Sequence, residues 1–317
     1  MKTVKFDWTY NYKSSFRGSV TPVFDPLTNS ILISDGWGSY YSGMRLRRLL
    51  IGSGQEDTSA VVRDSVCSII FSENKESLFI ALQKRILEVN RSNLEIVNSW
   101  KNHIPRNSFF ISQWENNLLC MNWGGPSLSI YDLDTSDVSR KRLGSCMGVF
   151  RLSRDTFIVA SGMEGFIWKI SMGDNSAEKW LSLPQFHSAV FDSQSSRLIT
   201  PQGKHHTATE QSIKFHEPNR LLTIVDFSNN GKTDIYESPK DYSFLAYDHI
   251  RDLIILMNGS ELYSCRVDSG KLSIIEGWKV DRNYEIVSYI PELDAAVSVC
   301  NVERESTLAL AYLNKPV

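Results

Sequence analysis

The chain has 317 residues, with 34 basic against 36 acidic side chains and a formal net charge of −2. That length accommodates two ordinary domains or one large repeat assembly, and a chain of roughly 300 residues hides about three quarters of its unfolded surface. The near-neutral balance argues against a general polyanion binder, which carries a strong basic excess, so nucleic acid is not an expected partner.

The first segment, "MKTVKFDWTYNYK", has no apolar stretch of the kind that opens a secretory signal. No later stretch approaches the ~18 apolar residues of a membrane span. A cytoplasmic protein with no membrane contact is the expectation. The five cysteines, Cys67, Cys120, Cys146, Cys265 and Cys300, are widely spaced and each lies in an apolar run. They read as buried free thiols, without the CxxC spacing of a zinc or redox site, so no metal and no cofactor is expected.

In chain order, one residue closes the first strand of each predicted unit: Phe24, Phe71, Trp114, Leu152, Phe191, Tyr247 and Tyr289. Successive gaps are 47, 43, 38, 39, 56 and 42 residues, mostly near the ~40–45 of a four-stranded blade. A polar turn and a second apolar strand follow each anchor, as in "FDPLTNSILIS", "FSENKESLFIA" and "FDSQSSRLIT". Pro, Asn, Asp and Ser fill these gaps because each enforces or tolerates a turn. Third strands read "RLRRLLI", "RILEVNR", "SLSIYDL", "GFIWKIS", "RLLTIVDF", "ELYSCRV" and "TLALAYL". Fourth strands read "TSAVV", "EIVNSW", "SRKRL", "EKWLSL", "KTDIYES" and "IIEGWKV". The seventh unit runs out after three strands, while "TVKFDWTY" precedes the first complete one. Placing that segment as the outer strand of the last blade pairs both edges.

This pattern of period and strands resembles the WD40/YVTN-like seven-bladed β-propeller superfamily over the whole chain, although neither Trp-Asp nor Gly-His dipeptides occur. The resemblance implies an all-β fold of seven four-stranded antiparallel blades in a single propeller domain, residues 1–317. Propellers of this kind host scaffolds, ligand binders and enzymes alike, so the fold leaves function open.

Antiparallel order puts the a–b and c–d turns at one end of each blade, and the b–c and d–a connections at the other. "RGSV" (17–20), "RDSV" (63–66) and "RNSF" (106–109) each fall at a d–a connection, with "KDYSF" (240–244) and "RNYEI" (282–286) at related junctions. Arg17, Arg63, Arg106, Lys240 and Arg282 would then surround one mouth of the central channel. One reading is local, with arginine satisfying loop carbonyls and serine capping turns. The other is a cationic funnel for a carboxylate, a phosphate or an acidic protein segment, which the fork of arginine suits.

Two insertions fall at b–c connections and overhang that same side. "GWGSYYSGM" (36–44) carries Trp37, Tyr40 and Tyr41, and these aromatics suit either stacking on a ligand or covering a blade edge. "PQGKHHTATEQSIKFHEPN" (201–219) holds His205, His206 and His216, with Glu210 and Glu217, in a segment read as a solvated polar loop. Its spacing matches no zinc motif. "GSGQ" (52–55) and "NGSELY" (258–263) read as a c–d hairpin and a b–c turn.

The leading expectation is therefore a non-catalytic binding or scaffold propeller. It would recognise a protein partner or an anionic ligand on the b–c/d–a side through the arginines, Lys240, Trp37, Tyr40, Tyr41, His205 and His206. The alternative is an enzyme acting on a small anionic or sugar-like substrate at the channel mouth, with a histidine as acid, base or ligand.

Overall fold

The computed structural model describes residues 1–13, 22–34, 45–62, 64, 66–101, 108–122, 125–186, 189–202, 205–208, 212–281, 283–302 and 305–314. The side chains of 12–13, 108–110, 205–208, 212–217, 301–302 and 305–306 lie outside that description. Two compact units emerge, one of residues 14–185 and one of residues 1–13 with 186–317. Among the described residues no helix is long and apolar enough to cross a membrane.

The first unit holds four blades, each a four-stranded antiparallel sheet with strands a to d in sequence order. They comprise Val23–Asp25, Ser30–Ser34, Arg45–Leu50 and Glu56–Val61; then Val66–Phe71, Ser77–Leu82, Ile86–Asn90 and Ile96–Trp100. The third is Ser108–Trp114, Asn117–Asn122, Ser127–Asp132 and Val138–Arg142, and the fourth is Cys146–Arg151, Thr156–Ser161, Phe166–Ser171 and Ser176–Ser182. Burial explains their composition. Strand b is enclosed on both faces, so "SLFIAL" is buried at every position and reads as a continuous apolar run. Strand d is the exposed edge, as in "IVNSW" and "SAEKWLS". Apolar side chains from facing blades interleave: Leu46 and Leu32 pack with Ile80 and Leu87, and Leu119 and Leu128 with Val149 and Phe157.

The other unit holds the remaining three blades. Blade 7 consists of Glu285–Ile290, Ala295–Val302 and Glu305–Tyr312, completed by the N-terminal strand Trp8–Lys13. That strand lies antiparallel to the last one, with Trp8 opposite Leu310, as the repeat count predicts. The residues before it depart from the prediction. Lys2–Thr3 pairs in parallel with Trp278 and Lys279 on the outer edge of blade 6, so the N-terminal segment closes two blades rather than one. Lys2 adds an ion pair to Glu276 and a 3.0 Å hydrogen bond to Asn314.

Blades 5 and 6 are fused. Val190–Asp192, Arg197–Pro201, Ser212–Asp226 and the first part of Lys232–Asp248 make blade 5. The rest of Lys232–Asp248, with Leu253–Asn258, Glu261–Asp268 and Lys271–Lys279, makes blade 6. The "KDYSF" junction is thus not a connecting loop but the middle of one 17-residue strand. Pro239 is tolerated there because the ladder to Ser212–Asp226 jumps from Glu237 to Tyr242, leaving no bond for its missing N–H to make. Nor is 201–219 simply a loop: His205–Ala208 pairs antiparallel with Ile213–Phe215, and Ser212–Lys214 pair with Phe244–Ala246. Thr207 and Ile213, one β-branched residue in each strand, suit that pairing, although the polarity of the segment suggests a loop.

The a–b and c–d turns share one construction. Non-glycine residues with positive φ stand just before the next strand in a–b turns, namely Asn29, Lys75, Glu115, Ser196, Asp252 and Asp294. Leu94, Ser136, Asn175, Asn230 and Ser269 do the same in c–d turns. Many of the turns open with an Asp or Asn whose side chain accepts backbone N–H groups two and three residues on. Asp132 accepts from Asp134 N at 2.9 Å and Thr135 N at 2.8 Å, and Asp248 from Ile250 N and Arg251 N at 3.0 Å. These Asx turns hold the short hairpins closed.

Candidate functional site

The sequence directs attention first to the b–c/d–a side. Arg17, Arg63, Arg106, Arg282, Trp37, Tyr40 and Tyr41 all lie outside the described residues. His205 and His206 open the short strand of the blade-5 hairpin, and their side chains lie outside the description. Lys240 is placed. Its Nζ lies 3.0 Å from Oε2 of Glu261 and 4.7 Å above the Tyr263 ring. The Glu261 hydrogen bond holds the ammonium above its usual range. Its charge is therefore matched within its own sheet. Among the described residues no group of three or more His, Cys, Asp or Glu side chains is gathered to hold a metal.

The turn side is bound together from blade to blade. Arg91 of blade 2 forms an ion pair with Asp25 of blade 1, Trp114 Nε1 donates to Asp155 Oδ1 at 3.0 Å, and Glu73 N donates to Gln113 Oε1 at 2.8 Å. In the other unit Arg251 bonds Asp248 at 2.8 Å and the Pro291 carbonyl of blade 7 at 2.9 Å. Apart from the Arg251–Asp248 bond, which lies within one turn, each of these links joins a turn to the neighbouring blade, so this side's polar groups serve cohesion.

One cavity interrupts it. Between blades 5 and 6 lies a cleft of about 240 Å³, floored by Ile199, Ile224, Ile254, Cys265 and Val267. Strand geometry accounts for its rim. In Lys232–Asp248, residues 232, 234 and 236 project to one face, so Lys232, Asp234 and Tyr236 line it together. Lys232 Nζ lies 3.0 Å from Asp234, whose hydrogen bond raises the ammonium's pKa. Arg197, at the start of strand b, lies 2.8 Å from Asp252 and 3.8 Å from Asp226. Burial opposes its charge, but Asp252, Tyr247 and Asp226 outweigh that and hold it firmly cationic. Tyr247 donates its hydroxyl to Asp252, and burial with that carboxylate pushes the phenol well above its ordinary value. The cleft thus combines an aliphatic floor with a charged rim able to grip a small polar group. Sequence reading missed it because its residues come from two repeats. The visible trace was the polar alternation in "KTDIYES".

Comparison with solved structures places this geometry. The chain is similar to the WD40 domain of Pan2 from Neurospora crassa, with TM-score 0.69 and 10% identity over 99% of this chain and 97% of that one. It is similar to the C-terminal WD40 domain of Sif2, with TM-score 0.66 and 9% identity over 99% of each chain. It is also similar to the Cps50 (Swd1) β-propeller domain of Myceliophteria thermophila, with TM-score 0.63 and 8% identity over 98% of this chain and 100% of that one. No protein-family model matches the chain, and no curated protein matches it in sequence. At such identities the likeness is one of fold: the chain is a WD40-like seven-bladed β-propeller of four-stranded antiparallel blades, with its N-terminal strand completing the last.

Proposed function

We propose that the protein is a non-catalytic binding or scaffold propeller, a single domain across residues 1–317. It recognises a protein partner through an acidic or otherwise anionic segment on the b–c/d–a side. Arg17, Arg63, Arg106 and Arg282 supply charge, Trp37, Tyr40 and Tyr41 supply apolar contact, and Lys240, His205 and His206 border the same surface. The observation that carries this reading is the hairpin of blade 5. At its b–c connection the chain adds a strand pair that hydrogen-bonds onto the inner strand of blade 6. Chain length is invested at this end, whereas the turns at the other end are short and closed on themselves. A backbone-paired projection also costs less to order on binding than a free loop. Free cysteines, four of them buried, suit the cytoplasm proposed for the protein.

The test is quantitative affinity capture with the tagged full-length protein and its Arg63→Glu/Arg106→Glu variant. Proteins retained by the wild type are lost by the variant, while the two unfold at the same denaturant concentration. Equal retention by both would remove the arginines from the interface.

A further inference from the structure

The cleft between blades 5 and 6 lies apart from the Lys240 side and has its own chemistry. Its rim carries three carboxylates, Asp226, Asp234 and Asp252, against two cations, Arg197 and Lys232. One negative charge is therefore in excess. The carboxylates are not sealed away: the side chains of Asp226, Asp234 and Asp252 are 26%, 41% and 61% exposed. Beneath them the floor is aliphatic, and Val267 still exposes 36% of its surface. A volume of about 240 Å³ falls below the roughly 300–1,000 Å³ of pockets that hold drug-sized molecules. It matches a single long side chain instead.

From this geometry we infer that the cleft is a docking site for one lysine or arginine side chain presented by an extended peptide segment of a partner protein. The occupant is fixed by complementarity. An aliphatic stem of three or four methylenes lies along Ile199, Ile224, Ile254 and Val267, as such stems do beside apolar surface. The cationic head is drawn by the rim's net negative charge towards Asp234, whose side chain is 41% exposed, and the face of Tyr236. An acidic side chain would meet the same carboxylates with repulsion, and a purely apolar one would leave the rim unanswered. All three carboxylates have partners within the wall: Asp252 accepts from Arg197 and Tyr247, Asp234 pairs with Lys232, and Asp226 caps the N–H groups of Ser228 and Asn229, so the head answers the net negative charge of the rim. This site is independent of the partner-binding reading above, which rests on other residues.

The experiment uses the full-length protein and fluorescein-labelled pentapeptides, Ala-Val-Xaa-Val-Ala, with Xaa lysine, arginine, norleucine or glutamate, followed by fluorescence polarisation at low salt. The lysine and arginine peptides are expected to bind at least about fivefold more tightly than the other two, the scale of one partly exposed charge contact. Asp234→Asn weakens the lysine peptide, Lys232→Ala strengthens it, and Val267→Trp, which fills the cleft from an exposed position, abolishes binding. Thermal melts of the three variants establish that each is folded. The proposal is overturned if the four peptides bind alike, or if none saturates below about 1 mM. It is equally overturned if Asp234→Asn and Lys232→Ala move affinity in the same direction.

Discussion

Replacing Asp25 by asparagine removes the charge that faces Arg91 across blades 1 and 2 while preserving side-chain size. Asp25 is fully buried and the Arg91 side chain is 5% exposed, so water cannot take over from either partner. Breaking a buried pair by removing one member costs about 3–5 kcal/mol, because the other charge is left uncompensated. Two features bring the value to the lower part of that range. The new amide oxygen can still accept the Leu27 N–H that Asp25 accepts at 2.9 Å. Arg91 also keeps the Lys75 carbonyl at 2.9 Å and the Phe71 ring at 4.5 Å. We therefore expect a loss of about 3 kcal/mol for Asp25→Asn and a similar loss for Arg91→Met. The double variant loses less than the sum, since neither charge is then stranded. Urea unfolding at neutral pH, followed by tryptophan fluorescence, measures all three against the wild type. Single losses under about 1 kcal/mol, or strict additivity, would refute the argument.

Further outcomes follow from individual sites. Burial alone would raise the carboxyl of Asp25, but Arg91 and Thr28 outweigh it and hold it below its ordinary value of 3.8. Its contribution is thus complete above that pH and lost as pH falls through the folded value, so acid unfolding of Asp25→Asn shows a shallower slope there; identical slopes contradict this. Gly165, at φ +68°, would bring an added Cβ within 2.4 Å of the Leu183 carbonyl oxygen. Gly165→Ala should therefore cost about 2 kcal/mol in the same urea assay, and a neutral result would place the turn elsewhere. Burial pushes the thiols of Cys67, Cys120, Cys146 and Cys265 up to about 12. At pH 8 the folded protein should react with a thiol reagent at Cys300 alone, and at all five cysteines after denaturation; two fast thiols would contradict the burial described.

Much of the fold was legible because blade strands have distinct surroundings. Buried strands b, such as "LFIAL" and "LIILM", announce themselves by continuous apolarity, and the missing fourth strand of the last unit pointed to the N-terminal segment 3–10, of which Trp8–Tyr10 open the closing strand Trp8–Lys13. The fused strand Lys232–Asp248 was less legible, since Pro239 and two charged residues resemble a connection until Tyr242 is seen to be buried, with its hydroxyl on the Leu221 carbonyl. The Lys2–Thr3 pairing left no trace because a parallel bridge of two residues needs no pattern of its own. Positive φ at Leu94 runs against the preference of its side chain and is imposed by the closed turn around it. The proposed arginine surface rests on recurrence of a tetrapeptide, and its neighbour Lys240 is paired with Glu261 rather than open to a ligand. The cleft emerges only when two repeats pack face to face.

The partner-binding side of the blades is the central claim, and cross-linking mass spectrometry of the captured complex tests it directly. Lys101 and Lys240 lie towards the d–a connections, whereas Lys75, Lys232 and Lys271 lie at the a–b and c–d turns. The account predicts that partner peptides lost on Arg63→Glu/Arg106→Glu cross-link to Lys101 and Lys240. Cross-links from those peptides concentrated on Lys75, Lys232 and Lys271 would contradict it and place the interface on the opposite side.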